Sequence, residues 1–190
     1  DGEADVLMKG LVSTDKYMRG ILNKEYGLLP PKGVLSHVTV FELPMYHKLL
    51  VVSDVAVIPY PDLSQKTAIV RYLTATAKVL GVECPKIAAI APSEQLLASV
   101  QSSVEAAVLA KMADRGQLGD VVLDGPLALD VALFEEVART KHLSSPVAGD
   151  ADCLLMPNLD AANVFFKSAN HLCNASLAAM VAGTKAPCVL

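Results

Sequence analysis

The sequence predicts an α/β fold with a mainly parallel sheet covered by helices. Short apolar runs such as ADVLM (4–8) and KIAAIA (86–91) alternate with longer segments of helical period, and short loops join them. Hydrophobic residues make up 53% of the chain and charged residues only 19%, which is typical of parallel strands that are buried on both faces. This regular alternation of strand and helix indicates βαβ units.

The periodicity of the apolar residues and the positions of the turn residues predict the strands and helices. The predicted strands are 4–8, 34–43, 48–58, 86–91, 120–125, 153–157 and the runs LAAMVAG and PCVL. The predicted helices are about 15–26, 62–80, 93–112, 126–141 and 158–174. The short connection PMYH favours an antiparallel hairpin between the second and third strands. We expect Asp62 and Ser93 to act as N-caps and Pro126 to be a first helical residue.

Composition excludes several classes of function. The formal net charge is −4, tryptophan is absent and no basic run occurs, so we expect no nucleic-acid partner. No apolar run reaches about 18 residues, so the sequence predicts no membrane-spanning helix. The cysteines are scattered without a CxxC motif, which favours a reduced, cytoplasmic protein. Both ends of the chain read as truncated, because domain termini are usually polar and exposed.

The stretch MKGLVSTDKYMRG (8–20) concentrates hydrogen-bond donors where a strand gives way to a helix. Gly10 permits close backbone approach, Ser13 and Thr14 add hydroxyls, and the free N–H groups of a helix start suit phosphate. Lys9 and Arg19 add positive charge, and Arg19 could grip a second anionic group. The other interpretation is that a hydroxyl only caps the helix and both cations are solvated.

A second polar stripe follows the strand CLLMP. Asp160, Asn163 and Lys167 are spaced to share one face of a helix, so they could line a cleft or form an ordinary solvated face. Asp124, at another strand end, is better explained as a turn or cap residue. The histidines lack the spacing and the carboxylate partners of a metal site, so we expect none.

Five separated stretches resemble the phosphate acetyltransferase and phosphate butyryltransferase family. They are EADVLMKGLVST, SDVAVIPYPDLSQK, KMADRGQLGDVVLDGPLALD, SSPVAGDADCLLMPNLDAANVFFKS and GTKAPCVL. The resemblance covers nearly the whole chain in order, and the butyryltransferase branch fits better.

The resemblance implies two α/β domains with the active site in the cleft between them. The divisions expected are 1–30 and 158–190 as parts of the first domain and 31–157 as the middle domain. It implies reversible acyl transfer between coenzyme A and inorganic phosphate in a homo-oligomer, with coenzyme A as substrate and no tightly bound cofactor.

The resemblance also implies roles for individual residues. Lys9, Gly10, Ser13 and Thr14 would bind phosphate or acyl phosphate, and Arg19 would contact coenzyme A. Asp160, Asn163 and Lys167 would line the cleft. The family usually has glycine where this chain has Ala162, whose methyl group would narrow the cleft. The family's Ser-Arg pair and its catalytic acid would lie beyond Leu190, so no catalytic residue is assigned.

Two alternatives remain. An enzyme of the isopropylmalate dehydrogenase type would need clustered aspartates for a divalent metal and a nicotinamide site, and neither is found in the sequence. An inactive binding or oligomerisation unit would bind coenzyme A without turnover, or bind nothing.

Overall fold

The computed structural model describes residues 4–190, which form one mixed sheet with helices on both faces. The strands are β1 (Leu7–Met8), β2 (Ser36–Glu42), β3 (Leu50–Ser53), β4 (Lys86–Ile90), β5 (Val122–Leu127), β6 (Cys153–Leu155), β7 (Ser176–Ala182) and β8 (Cys188–Val189). The helices are α1 (Thr14–Ile21), α2 (Leu63–Val79), α3 (Gln101–Asp114), α4 (Leu129–Leu133), α5 (Glu135–Thr140) and α6 (Leu159–Leu172).

The sheet has the strand order β1-β8-β7-β2-β3-β6-β4-β5. Strands β3, β6, β4 and β5 are parallel to one another, and β1 is parallel to β8. The predicted hairpin of β2 and β3 is confirmed, and β7 pairs with β2 and β8 in antiparallel fashion. The α/β class is therefore confirmed, and the parallel pairs are concentrated in the β3-to-β5 half.

Successive residues of the central strands alternate between two hydrophobic clusters, as the pleat of a strand requires. Val52 and Leu154 pack on the face covered by α4, α5 and α6, whereas Val51 and Leu155 pack on the face covered by α2 and α3. A third cluster joins α1 to the β7–β8 end of the sheet. Burial on both faces explains the high apolar content of the sequence.

Two predicted helix starts are wrong. Residues 93–100 are not helical, because the Ser103 hydroxyl donates to the Gln95 carbonyl oxygen and accepts from the Leu97 N–H, which holds the segment as a loop. Helix α3 therefore starts at Gln101. Pro126 lies inside β5, and the next helix begins only at Leu129.

The amino-terminal edge of the central strands carries an ion-pair network. Lys48 Nζ lies 2.7 Å from Oδ1 of both Asp150 and Asp152, and Lys86 Nζ lies 2.6 Å from Asp150 Oδ2. Burial alone would raise the pKa of Asp150, but hydrogen bonds from Lys48, Lys86 and His47 hold that pKa well below its ordinary value. This network stabilises the edge of the sheet where the strands β3, β4 and β6 begin. These strands end at the opposite edge.

None of the helices within residues 4–190 is both long and apolar enough to cross a bilayer.

Candidate active site

The start of α1 carries the predicted anion-binding residues. Ser13 is the N-cap, and its Oγ accepts a hydrogen bond from the Lys16 N–H at 3.4 Å. Thr14 opens the helix, and Gly10 lies just before it; all three residues are exposed. Buried Tyr17 anchors the helix, because its hydroxyl donates to the carbonyl oxygens of β1 and β8. The helix start is thus held in place with its hydroxyls open to a ligand.

Neither of the two predicted cations, Lys9 and Arg19, is hydrogen-bonded to these hydroxyls. Arg19 forms an exposed ion pair with Asp15 at 3.1 Å on the same helix. Lys9 Nζ lies 3.4 Å from the carbonyl oxygen of Gly10. Both side chains are long and flexible, so either could swing to an incoming anion at little cost.

The second predicted group lies on α6. Asn158 caps this helix by accepting from the Ala161 N–H at 3.0 Å. Asp160, Asn163 and Lys167 are all exposed. Lys167 lies 5.7 Å from the ring centroid of its neighbour Phe166.

Ala162 takes a different place from the one the family pattern suggests. It is fully buried in the core cluster beneath α6. Its methyl group therefore fills the core and does not narrow an exposed cleft.

Helices α1 and α6 lie on the same face of the sheet. The α6 rings of Phe165 and Phe166 stack edge-on against Phe41 of β2. His37 is four residues before Phe41 in β2, so both side chains lie on the same face of the sheet. His37 pairs with Val181 of β7, and Val181 packs against α1. The two predicted groups therefore border the same side of the molecule.

A buried histidine lies on that face of the sheet. His37 is 4% exposed, and its Nδ1 lies 3.3 Å from the Thr39 hydroxyl. Burial lowers the pKa of His37, while the charge of Asp54 opposes that shift. The imidazole is therefore neutral at neutral pH, consistent with a satisfied structural role.

The segment 54–60, which we call the bridging loop, contacts α6 directly. The Tyr60 hydroxyl donates to Asp160 Oδ2 at 3.1 Å, and Asn163 Nδ2 lies 3.4 Å from the Val55 carbonyl oxygen. The hydrogen bond to Asp160 raises the pKa of Tyr60. Two of the three predicted α6 residues are thus held against this loop, whereas Lys167 is not.

Asp54, at the base of the bridging loop, is a buried carboxylate that is not among the site residues predicted from the sequence. The signal was an aspartate after the apolar run KLLVVS at the end of β3, a position where ligand-binding residues of α/β sheets collect. It is 3% exposed, and four hydrogen-bond donors surround it.

Across the described chain, 4–190, no hydrogen bond or ion pair directly joins the α1 group to the α6 group. The same residues contain no group of three or more His, Cys, Asp or Glu side chains placed to hold a metal ion. The site as described is thus a face with hydroxyl, amide and carboxylate groups on two helix starts.

Comparison with known proteins decides the family. Residues 1–190 match the family described as "Phosphate acetyl/butaryl transferase". The chain belongs to this family. The resemblance of the five sequence stretches is thereby confirmed.

Similar proteins fall on both branches of the family. The chain is 43% identical to the phosphate butyryltransferase of Clostridium beijerinckii over 189 residues, covering 100% of this chain and 62% of the relative. It is 39% identical to the phosphate acetyltransferase of Thermotoga maritima, again covering 100% of this chain and 64% of the relative. The chain thus spans less than two thirds of the length of these curated relatives.

The fold matches solved structures of the same kind. A branched-chain phosphotransacylase from Enterococcus faecalis V583 superimposes with a TM-score of 0.90 at 33% identity, over 100% of this chain and 67% of that one. A phosphotransacetylase from Streptococcus pyogenes gives a TM-score of 0.84 at 26% identity, over 98% of this chain and 56% of that one.

Proposed function

We propose that this protein transfers a short acyl group reversibly between coenzyme A and inorganic phosphate, giving an acyl phosphate. The observation that carries the proposal is the family match along all 190 residues. The exposed hydroxyls at the start of α1 and the polar stripe on α6 support it, because both border the same face of the sheet.

The reaction needs positioned donors and one proton acceptor. In the direction toward acyl-coenzyme A, the thiolate sulfur attacks the carbonyl carbon of the acyl phosphate, and phosphate leaves with the electrons of the broken C–O bond. A carboxylate takes the thiol proton. Donors around the phosphate stabilise the charge that builds on it. We assign no residue of this chain as the base.

Phosphate binding is proposed at the start of α1. Ser13, Thr14 and the backbone N–H groups of the first helical turn would donate to the phosphate oxygens, with Gly10 allowing close approach. Lys9, which directly follows β1, would add positive charge. Both hydroxyls are exposed and not buried in the core, which supports this role.

The remaining assignments extend the same proposal. Arg19 would contact coenzyme A after leaving Asp15, and the exposed α6 stripe of Asp160, Asn163 and Lys167 would line the cleft. Coenzyme A would be a substrate, and no cofactor would be tightly bound. We propose butyryl as the preferred group over acetyl, on the strength of the higher identity to butyryltransferases.

Domain division and assembly are also proposals. The parts 1–30 and 158–190 would belong to one domain and 31–157 to another, with the active site between them. Tyr17 and Ile21 of the first part share a hydrophobic cluster with Val181 and Cys188 of the last part, which supports grouping these two parts. We further propose a cytoplasmic homo-oligomer.

The test is phosphate-dependent release of free thiol from acetyl-, butyryl- and isobutyryl-coenzyme A. The 190-residue chain and the complete gene product are assayed side by side. Ser13→Ala/Thr14→Val should lower turnover by about 100-fold or more, as loss of donors at a developing charge does. Thr140→Val, an exposed threonine on α5, should leave turnover unchanged. Absence of release from all three substrates would refute the proposal and favour a binding role.

A further inference from the structure

Asp54 is the centre of a compact hydrogen-bond network. Its Oδ1 accepts from the N–H groups of Ala56 at 2.8 Å and Val57 at 2.9 Å. Its Oδ2 accepts from the N–H of Ile58 at 3.2 Å and from the Ser36 hydroxyl at 3.0 Å. A carboxylate that is 3% exposed and accepts four hydrogen bonds fixes the backbone that donates to it.

The backbone fixed by Asp54 is the part of the bridging loop that lies between the two helices. Val57 packs in the hydrophobic cluster of α1. At the other end of the loop, the Pro59 carbonyl oxygen accepts from the Leu159 N–H at 2.9 Å, and Tyr60 donates to Asp160. The loop therefore contacts both helices whose starts carry the site residues.

We propose that Asp54 is a positioning residue for the acyl-transfer site. This inference rests on the proposed function. By holding residues 56–58 in one conformation, Asp54 sets where α6 presents Asp160 and Asn163 relative to the start of α1. Asp54 itself touches no substrate, because its carboxylate is enclosed by its four donors.

The variant Asp54→Asn distinguishes a positioning role of Asp54 from a role in packing alone. Asp54→Asn keeps the size of the side chain and one acceptor oxygen. It places an NH₂ group against donors that the carboxylate satisfies, so the loop loses part of its anchor. We expect turnover to fall by about tenfold or more, because small displacements of reacting groups have large effects on rate.

Asp152→Asn is the matched control. Asp152 is 6% exposed and accepts from the Lys86 N–H at 2.8 Å and from Lys48, but it lies at the opposite edge of the sheet. Its replacement disturbs a buried carboxylate of the same kind without reaching the bridging loop. We expect turnover of this variant to stay within about twofold of the wild-type value, since its effect is on stability alone.

The titration of Tyr60 reports the conformation of the bridging loop independently of turnover. The hydrogen bond to Asp160 raises the pKa of its phenol, and Tyr60→Phe identifies the share of Tyr60 in the ultraviolet titration curve. Asp54→Asn should bring this titration back toward the ordinary pKa, and Asp152→Asn should not. If the wild-type protein shows no turnover, the proposed function fails, while this titration still decides whether Asp54 holds the loop.

Three results would overturn the proposal. The first is equal loss of turnover in Asp54→Asn and Asp152→Asn, which indicates only general destabilisation. The second is a change in turnover without a change in the Tyr60 titration, or the reverse. The third is unchanged behaviour of Asp54→Asn in both assays. If Asp54→Asn does not fold, Ser36→Ala removes one of the four donors and should give a smaller loss in both assays, and no loss there counts against the proposal.

Discussion

Lys66 on α2 and Glu105 on α3 form an ion pair that is almost entirely shielded from water. Lys66 Nζ lies 2.5 Å from Glu105 Oε2, and the two side chains are 5% and 13% exposed. Gln101 donates to the other carboxylate oxygen at 2.9 Å. Because both charges have lost their hydration, each depends on the other for compensation.

Lys66→Met removes one charge and keeps the length of the side chain. Glu105 then retains the bond from Gln101, but its second oxygen faces the interior without a cation. Breaking a buried pair in this way costs about 3–5 kcal/mol. For a domain of this size about 1 kcal/mol corresponds to roughly 2–4 °C in Tm, so we expect Tm to fall by about 6–20 °C.

The double variant Lys66→Met/Glu105→Leu should recover most or all of this loss, because neither charge then has to be desolvated. Urea denaturation of the wild type, both single variants and the double variant gives the coupling energy. Lys78→Met is the control on the same helix, since its partner Asp120 is 90% exposed and solvent screens the pair. The reasoning is refuted if Lys66→Met costs less than about 1 kcal/mol, or if the double variant is as unstable as the single one.

Three further predictions concern other parts of the fold. The stabilising effect of Asp150, measured against Asp150→Asn by urea denaturation, should be full above the ordinary carboxyl pKa and shrink as pH falls through the lowered one. Gly149→Ala should destabilise more than Gly116→Ala: both glycines have positive φ, but a Cβ at Gly149 meets backbone of α5 at 2.5 Å, whereas nothing lies within 4 Å at Gly116. Urea midpoints check this, and equal shifts would contradict it. Thiol labelling of the native chain should reach Cys84 and Cys173, which are exposed, and denaturant should expose the two buried thiols; native labelling of all four would count against the packing described.

Helix starts were predictable from the sequence where the capping residue acts on its own helix. Asp62 caps α2 with a complete capping box, and Asn158 caps α6. The start of α3 was not predictable in this way. Its upstream segment is held by the Ser103 hydroxyl, which binds two backbone groups six and eight residues away. A side chain that binds backbone outside its own helix leaves no periodic signal.

The buried face of α3 shows a second limit of periodic patterns. The valines at 104 and 108 fit a helical apolar stripe, yet both are exposed, and the buried positions are Ser103, Ala106 and Leu109. The reason is the close approach of α3 to β5. A Cβ on Gly125 of that strand would lie 3.1 Å from the Ala106 methyl, so only a small side chain fits where Ala106 faces Gly125.

The candidate site was predicted as two separate groups, and only the strand order connects them. Asp54 accepts from backbone two, three and four residues ahead, which is a local turn that the sequence permits. Its importance comes from β3 and β6 being parallel neighbours, so that the segments leaving them meet at one edge. That adjacency brings Tyr60 to Asp160, one hundred residues further along the chain. Apolar patterns show where β3 and β6 lie but not that they are paired, so the role of Asp54 follows only from the folded sheet.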